Sequence, residues 1–157
     1  MDLLKTAKAL ADRVEAEATK TEVPVAVCVM DLHGNLIVQH RMNGAPAFSL
    51  LISERKAYTS ALVGMRTADL LALVQPGQPL YALTSVGGGR FCPMGGGIPL
   101  TDDDGRIFGG IGVSGGTADQ DVTIVEAGVR DYLANAGNKS RSNSRGASRV
   151  PSSATVS

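Results

Sequence analysis

The chain has 157 residues, the length of one domain, and is 43% hydrophobic and 19% charged, the balance of a globular protein with a packed core. It has no net charge, two cysteines and no run of about 18 apolar residues, which argues against a nucleic-acid binder, a disulfide framework and a membrane span. The charge is uneven: the stretch 137–157 holds Lys139, Arg141, Arg145 and Arg149 and no acid, so the body is mildly acidic. Aromatics are only 4% and Trp is absent, so the core must be built from Val, Leu, Ile, Ala and Met.

Met1-Asp2-Leu3-Leu4-Lys5 lacks a basic segment leading into a long apolar run, which predicts no signal peptide and a cytoplasmic location. From Asp2 to about Lys20 the spacing predicts an amphipathic helix. Leu3, Leu4, Ala7, Leu10, Ala11, Val14 and Ala18 fall on one face. The helix ends before Pro24, which disfavours helix in the residue preceding it. Val25 to Met30 reads as a buried strand, Asp31-Leu32-His33-Gly34-Asn35 as a turn, and Leu36-Ile37-Val38 as a returning strand, so a hairpin spans about Val25 to Arg41. Asn43-Gly44-Ala45-Pro46 then breaks the chain.

Ser49 to about Gly64 has helical spacing, with Ser49 as N-cap, and Thr67 to Val74 predicts a second short helix that stops before Pro76-Gly77. Leu80-Tyr81-Ala82-Leu83 reads as a weak strand. Two glycine clusters, Gly87-Gly88-Gly89 and Gly95-Gly96-Gly97, flank Arg90, Phe91, Cys92 and Pro93. Ile98 to Leu100 and Arg106 to Ser114 read as strands joined by the turn Asp102-Asp103-Asp104-Gly105. A last helix runs from near Thr117 to about Ala136, with Val122, Val125, Val129, Tyr132 and Leu133 as its buried stripe. Two hairpins imply antiparallel pairing and an α+β class. The domain is residues 1–136, and 137–157, polar and aperiodic, reads as a disordered basic tail.

Four stretches carry a family resemblance. They are Val23-Pro24-Val25 into Asp31 and Gly34-Asn35; Arg41-Met42-Asn43-Gly44-Ala45; Pro93 with Gly95-Gly96-Gly97-Ile98-Pro99-Leu100; and Gly110 to Gly116 followed by Gln120-Asp121. Taken in order, with Lys56 in the second helix, they resemble the GlcG/HbpS family, a domain also found at the C-terminal end of PduO-type proteins. The likeness covers about residues 2 to 135. It implies a profilin-like fold, with a five-stranded antiparallel sheet and helices on both faces. It also implies a homo-oligomer of dimer-based symmetry, as large as an octamer, and haem as a possible cofactor. This chain departs from the pattern at His40, where an acid is usual, at Asn43, where Asp is usual, and at His33 in the hairpin turn. Its first helix has no histidine, whereas a similar PduO-type domain ligates haem through one there.

Several groups are candidates for chemistry. Gly95, Gly96 and Gly97, and Gly115 and Gly116 at the start of the last helix, can expose N–H groups to a carboxylate or phosphate. Equally, they can let a strand and a helix pack closely. No Gly-Lys-Ser/Thr follows, so there is no Walker loop, and no second βα unit supports a dinucleotide fold around Gly110. Lys56 can pair with a ligand carboxylate or extend to solvent. His40 beside Arg41, at a strand end, suits an anionic group, with His40 as a proton carrier and Asn43 nearby. Cys92 is a candidate nucleophile if Arg90 lowers its thiol pKa; Cys28 reads as core. His33, His40, Met42, Cys92 and Met94 all have haem-ligand chemistry, but none has a diagnostic spacing. Asp102 to Asp104 reads as a solvated turn, and no metal site is expected.

These readings lead to a small-molecule binder whose ligand is haem or another flat anionic compound. The alternative is a small catabolic enzyme, an isomerase, hydrolase or lyase, acting on a carboxylate or ring compound through His40, Cys92 and Lys56. Neither nucleic acid nor membrane is an expected partner.

Overall fold

The computed structural model describes residues 1–146. Helix α1 (Leu3–Lys20) begins where Asp2 accepts the Lys5 amide at 3.1 Å, satisfying a first-turn donor. Strands β1 (Ala26–Asp31) and β2 (Leu36–Arg41) form the first hairpin. Its turn needs Gly34 at φ +77°, where a side chain would also strike Tyr58. Helix α2 (Ser49–Val63) follows, then the single turn α3 (Thr67–Leu70) and two 3₁₀ segments (Leu71–Val74 and Tyr81–Gly88). Strands β3 (Gly97–Thr101) and β4 (Ile107–Ser114) make the second hairpin, and α4 (Ala118–Gly146) closes the described chain.

The strands form one antiparallel sheet in the order β2-β1-β4-β3. Central β1 is buried on both faces, so its side chains divide by alternation. Val27 and Val29 join Leu10, Val14, Ile111, Val113, Ile124 and Val125 in the core beneath α1 and α4. Cys28 and Met30 turn the other way, onto Ala57 of α2. Each fully buried Val or Leu contributes about 1.5–3 kcal/mol relative to exposure, so the first layer holds most of the hydrophobic stabilisation. Gly128 lets α4 approach α1, since a Cβ there would lie 2.7 Å from Val14 Cγ2.

The α2 layer is assembled differently. Its inward residues are small and polar: Ser49, Ser53, Thr59 and Ser60 are buried. Three of these hydroxyls bond back to carbonyls of the same helix, Ser53 to Leu50 O (3.0 Å), Thr59 to Arg55 O (2.7 Å) and Ser60 to Ala57 O (3.1 Å). Opposite them, Gly110 and Gly112 of β4 present bare backbone. A Cβ at Gly112 would collide with Ser53 O and lie 2.5 Å from the Ala57 amide nitrogen. This close approach explains Gly110 and Gly112, whereas a Cβ at Gly109 would strike Met30 O of β1.

The fold agrees with the α+β reading, with helices on both sheet faces, and differs from the sequence expectations in four respects. The described residues contain four strands rather than five. Leu80 to Leu83, expected as a weak strand, enters a 3₁₀ segment instead, held by local bonds from Leu80 N to Leu73 O (2.9 Å) and from Leu83 N to Leu80 O (2.9 Å). Phe48, not Ser49, is the α2 cap residue, since the chain already turns at Pro46, whose carbonyl accepts the Ser49 amide. Helix α4 continues past Ala136 to Gly146, ten residues into the stretch read as a disordered tail, with residues 137–144 exposed. The rest of that stretch, 147–157, lies outside the described residues. Among the described residues no helix is long and apolar enough to cross a membrane.

Candidate functional site

Most of the residues singled out by sequence converge on one place, the junction of α2, β4 and the start of α4. Lys56 projects from α2 into this junction, is buried, and donates from Nζ to Val113 O (2.8 Å) and to Asp121 Oδ2 (2.9 Å). Asp121, also buried, accepts the Gly116 amide on Oδ1 (2.9 Å). Burial pushes the Asp121 carboxyl above its ordinary range, against the opposing pull of Lys56 and of the Gly116 and Gly115 amides. The glycine nest expected to receive a ligand anion at Gly115 and Gly116 therefore already holds the protein's own carboxylate. Asp121 is the residue that sequence reasoning missed in this role. The sequence marked it only as part of the family-bearing stretch, with Gln120, behind the two glycines.

The second glycine cluster locks onto the same pair. Gly96 takes φ +124°, and a Cβ there would lie 2.8 Å from Lys56 Nζ and 3.0 Å from Asp121 Cβ. Gly97 donates its amide to Thr67 Oγ1 (2.8 Å), while Thr67 donates its hydroxyl to Met94 O (2.6 Å). Gly95, Gly96 and Gly97 are all buried. Lys56 thus spends its charge inside the protein, and the glycines around it serve close packing.

The other candidates lie elsewhere. Gln39 of β2 donates to Leu50 O of α2 (2.7 Å), whereas His40 points the opposite way, with Nδ1 2.6 Å from Glu15 Oε1 on α1. Strand alternation then separates His40 from Arg41, so the two do not form a joint anion site. Asn43 and Gly44 are exposed in the turn that follows, closed by the Ala45 amide on Met42 O (3.1 Å). His33 is exposed in the first hairpin turn. Cys92 is buried with its amide on Thr59 Oγ1 (2.8 Å), and burial raises its thiol pKa, outweighing the nearby Met94 amide, Lys56 and Arg55. Arg90, expected to activate that thiol, instead lies over the Tyr58 ring, 4.0 Å from its centroid. Burial also pushes Cys28 up, to about 12. No hydrogen bond or ion pair joins any two of His40, Cys92 and Lys56.

The segment from Leu71 to Gly89 offers free surface. Nearly all of it is exposed, including Tyr81 (58%), Val86 (53%) and Leu80, and Met94 stands exposed beyond it. Phe91 and Tyr58 pack at its base with ring centroids 5.5 Å apart and planes tilted by 52°. A separate cleft of about 250 Å³ runs along α4 between Pro99, Phe108, Tyr132 and Leu133, away from every candidate residue.

Residues 3–130 match the family of haem-degrading HbpS-like proteins. The chain belongs to the HbpS-like family. It is 39% identical over 126 residues to an uncharacterised 15.0 kDa protein from the dhaT-dhaS intergenic region of Citrobacter freundii, covering 80% of this chain and 88% of that one. It is 36% identical over 128 residues to the corrinoid adenosyltransferase PduO of Salmonella typhimurium, covering 82% of this chain but only 37% of PduO. This HbpS-like chain thus spans little more than a third of that enzyme's length. Among solved structures, the PduOC–haem complex superposes with a TM-score of 0.77 at 34% identity, over 80% of this chain and 91% of that one. In this HbpS-like chain no imidazole arises from α1 itself, but His40 brings one against α1 from β2.

Proposed function

We propose that this chain binds a small molecule, haem or another flat anionic compound, at a site completed where copies of the chain meet. The exposed apolar segment around Leu80, Tyr81 and Val86 carries this reading. A lone domain gains nothing by leaving such groups in water, whereas association or a planar ligand covers them. The donor set suits haem. Apolar side chains face a porphyrin, the Arg90 guanidinium at the base of the segment suits a propionate, and the exposed Met94 thioether is a ligand for iron. Cys92, buried and held in its thiol form, is a poor iron ligand. The HbpS-like family and the haem-bound PduOC neighbour support the same choice of ligand. When bound, haem would supply redox chemistry at its iron. The chain would supply the apolar walls, the cation and the exclusion of water.

The assembly is a homo-oligomer of dimer-based symmetry and the location is cytoplasmic. Haemin titrated into the purified chain should give a saturable Soret shift that weakens in Met94→Ala and Arg90→Ala. Light scattering at micromolar concentration should give a mass above that of one 16.2 kDa chain. A monomer, or haemin absorbance that rises without saturation, would overturn the reading.

A further inference from the structure

We propose that Asp12, Glu15 and His40 form a surface site for a borderline divalent transition-metal ion of the zinc or cobalt class. Asp12 and Glu15 stand three residues apart on the outer side of α1, where that spacing makes side chains neighbours. Leu10 and Ala11 before Asp12, and Val14 between the two acids, are buried and anchor the helix turn that carries both carboxylates. His40 comes from β2, whose register is fixed by pairing with Val27 of β1. One donor atom from each of the three lies within 4.8 Å of the other two, a separation that a single ion can bridge.

The charge balance also favours a cation. Two carboxylates are held beside an imidazole, and the adjacent bases look elsewhere. Arg13 pairs with Asp131 of α4 at 3.1 Å, and Lys20 pairs with Glu17 at 2.7 Å. Asp12 has no ion-pair partner among the described residues. The nitrogen donor selects the metal class. Calcium and magnesium prefer oxygen ligands alone, whereas one imidazole with two carboxylates suits zinc, cobalt, nickel, iron(II) or manganese. The half-exposed position leaves room for water to complete the coordination sphere, as in open zinc sites. On binding, the imidazole nitrogen that faces the ion must be unprotonated, so metal uptake ends the present His40–Glu15 contact and releases any proton held there to solvent. The site uses none of the residues proposed for haem.

The test uses the full chain without haem. Zn²⁺ titrated calorimetrically in a non-coordinating buffer should show one saturable site per chain, and Co²⁺ should compete for it while Mg²⁺ does not. His40→Ala and Glu15→Gln should each weaken binding by at least about tenfold, a difference of roughly 1.4 kcal/mol. His33→Ala, which removes the only other histidine, should change it less than about twofold. NMR of the unmodified chain offers a second readout: Zn²⁺ should shift the His40 ring resonances and leave those of His33 in place. Absence of saturable binding, binding that survives His40→Ala, or shifts confined to His33 would overturn the proposal.

Discussion

Lys56 Nζ lies 2.9 Å from Asp121 Oδ2, and both side chains are almost wholly withdrawn from solvent. This contact joins the middle of α2 to the first turn of α4, across the end of β4. Both glycine loops close around it. Removing one partner strands the other as an uncompensated buried charge, which costs about 3–5 kcal/mol. Lys56→Met and Asp121→Leu should each lower the melting temperature by about 10 °C or more at the sensitivity expected for a chain of this length. The double variant should lose less than the two single losses combined, since it leaves no orphaned charge. Calorimetry on the three variants measures this directly. Additive losses would mean that the pair is not coupled.

The glycines of β4 differ in kind from those of the turns. Gly112→Ala forces a methyl onto the α2 backbone at Ser53 and Ala57, which cannot yield as a side-chain tip would. The expected cost is about 3 kcal/mol or more. Gly105→Ala meets nothing within 4 Å and suffers only from its φ of +76°, a cost of about 1 kcal/mol. Urea unfolding of the two variants should separate them clearly. Equal losses would show that helix–strand approach does not explain Gly112.

Burial holds both thiols protonated in the folded chain. A disulfide reagent at pH 8 should therefore label Cys28 and Cys92 slowly in the native protein, and quickly once guanidinium unfolds it. A fast native reaction at Cys92 would restore the nucleophile reading and with it the case for an enzyme.

Asp31 caps the first hairpin turn, with Oδ1 accepting the His33 amide (2.8 Å) and the Asn35 amide (2.9 Å). Burial alone would raise its pKa, but the Asn35 and His33 hydrogen bonds together bring it below the ordinary value. A depressed folded pKa contributes stability that is present above the unfolded value, about 3.9, and lost as pH falls through the folded one. The stability advantage of the native chain over Asp31→Asn should hold from pH 7 down to about pH 4 and shrink below it. A difference that does not change with pH would remove the carboxylate from the account.

Residues 137–144 of α4 are exposed. Truncation before Gly137 should leave the fold intact, lowering the melting temperature by less than about 4 °C. A larger drop would show that the terminal stretch packs against the body or its neighbours.

The sequence alone was enough for those features whose signals are local. The apolar spacing of Leu10, Val14 and Ala18 marked α1, and Asp31 to Asn35 marked the hairpin turn. The glycine clusters with Asp121 nearby marked the family, because backbone positions that admit no side chain must be spelled out residue by residue. What the tertiary structure decided was partnership. Lys56 and Asp121 are 65 residues apart, and nothing in either segment says that the nest at Gly116 is filled from within. His40 and Arg41 read as a pair in sequence, yet a strand sends neighbours to opposite faces, so His40 meets Glu15, 25 residues away. Leu80 to Leu83 had strand-like residues, yet the Leu80 and Leu83 amides bond to nearby carbonyls rather than to a sheet edge. Periodicity records which face of an element is buried. Only the folded chain brings distant faces together, and that meeting determines which polar group neutralises which.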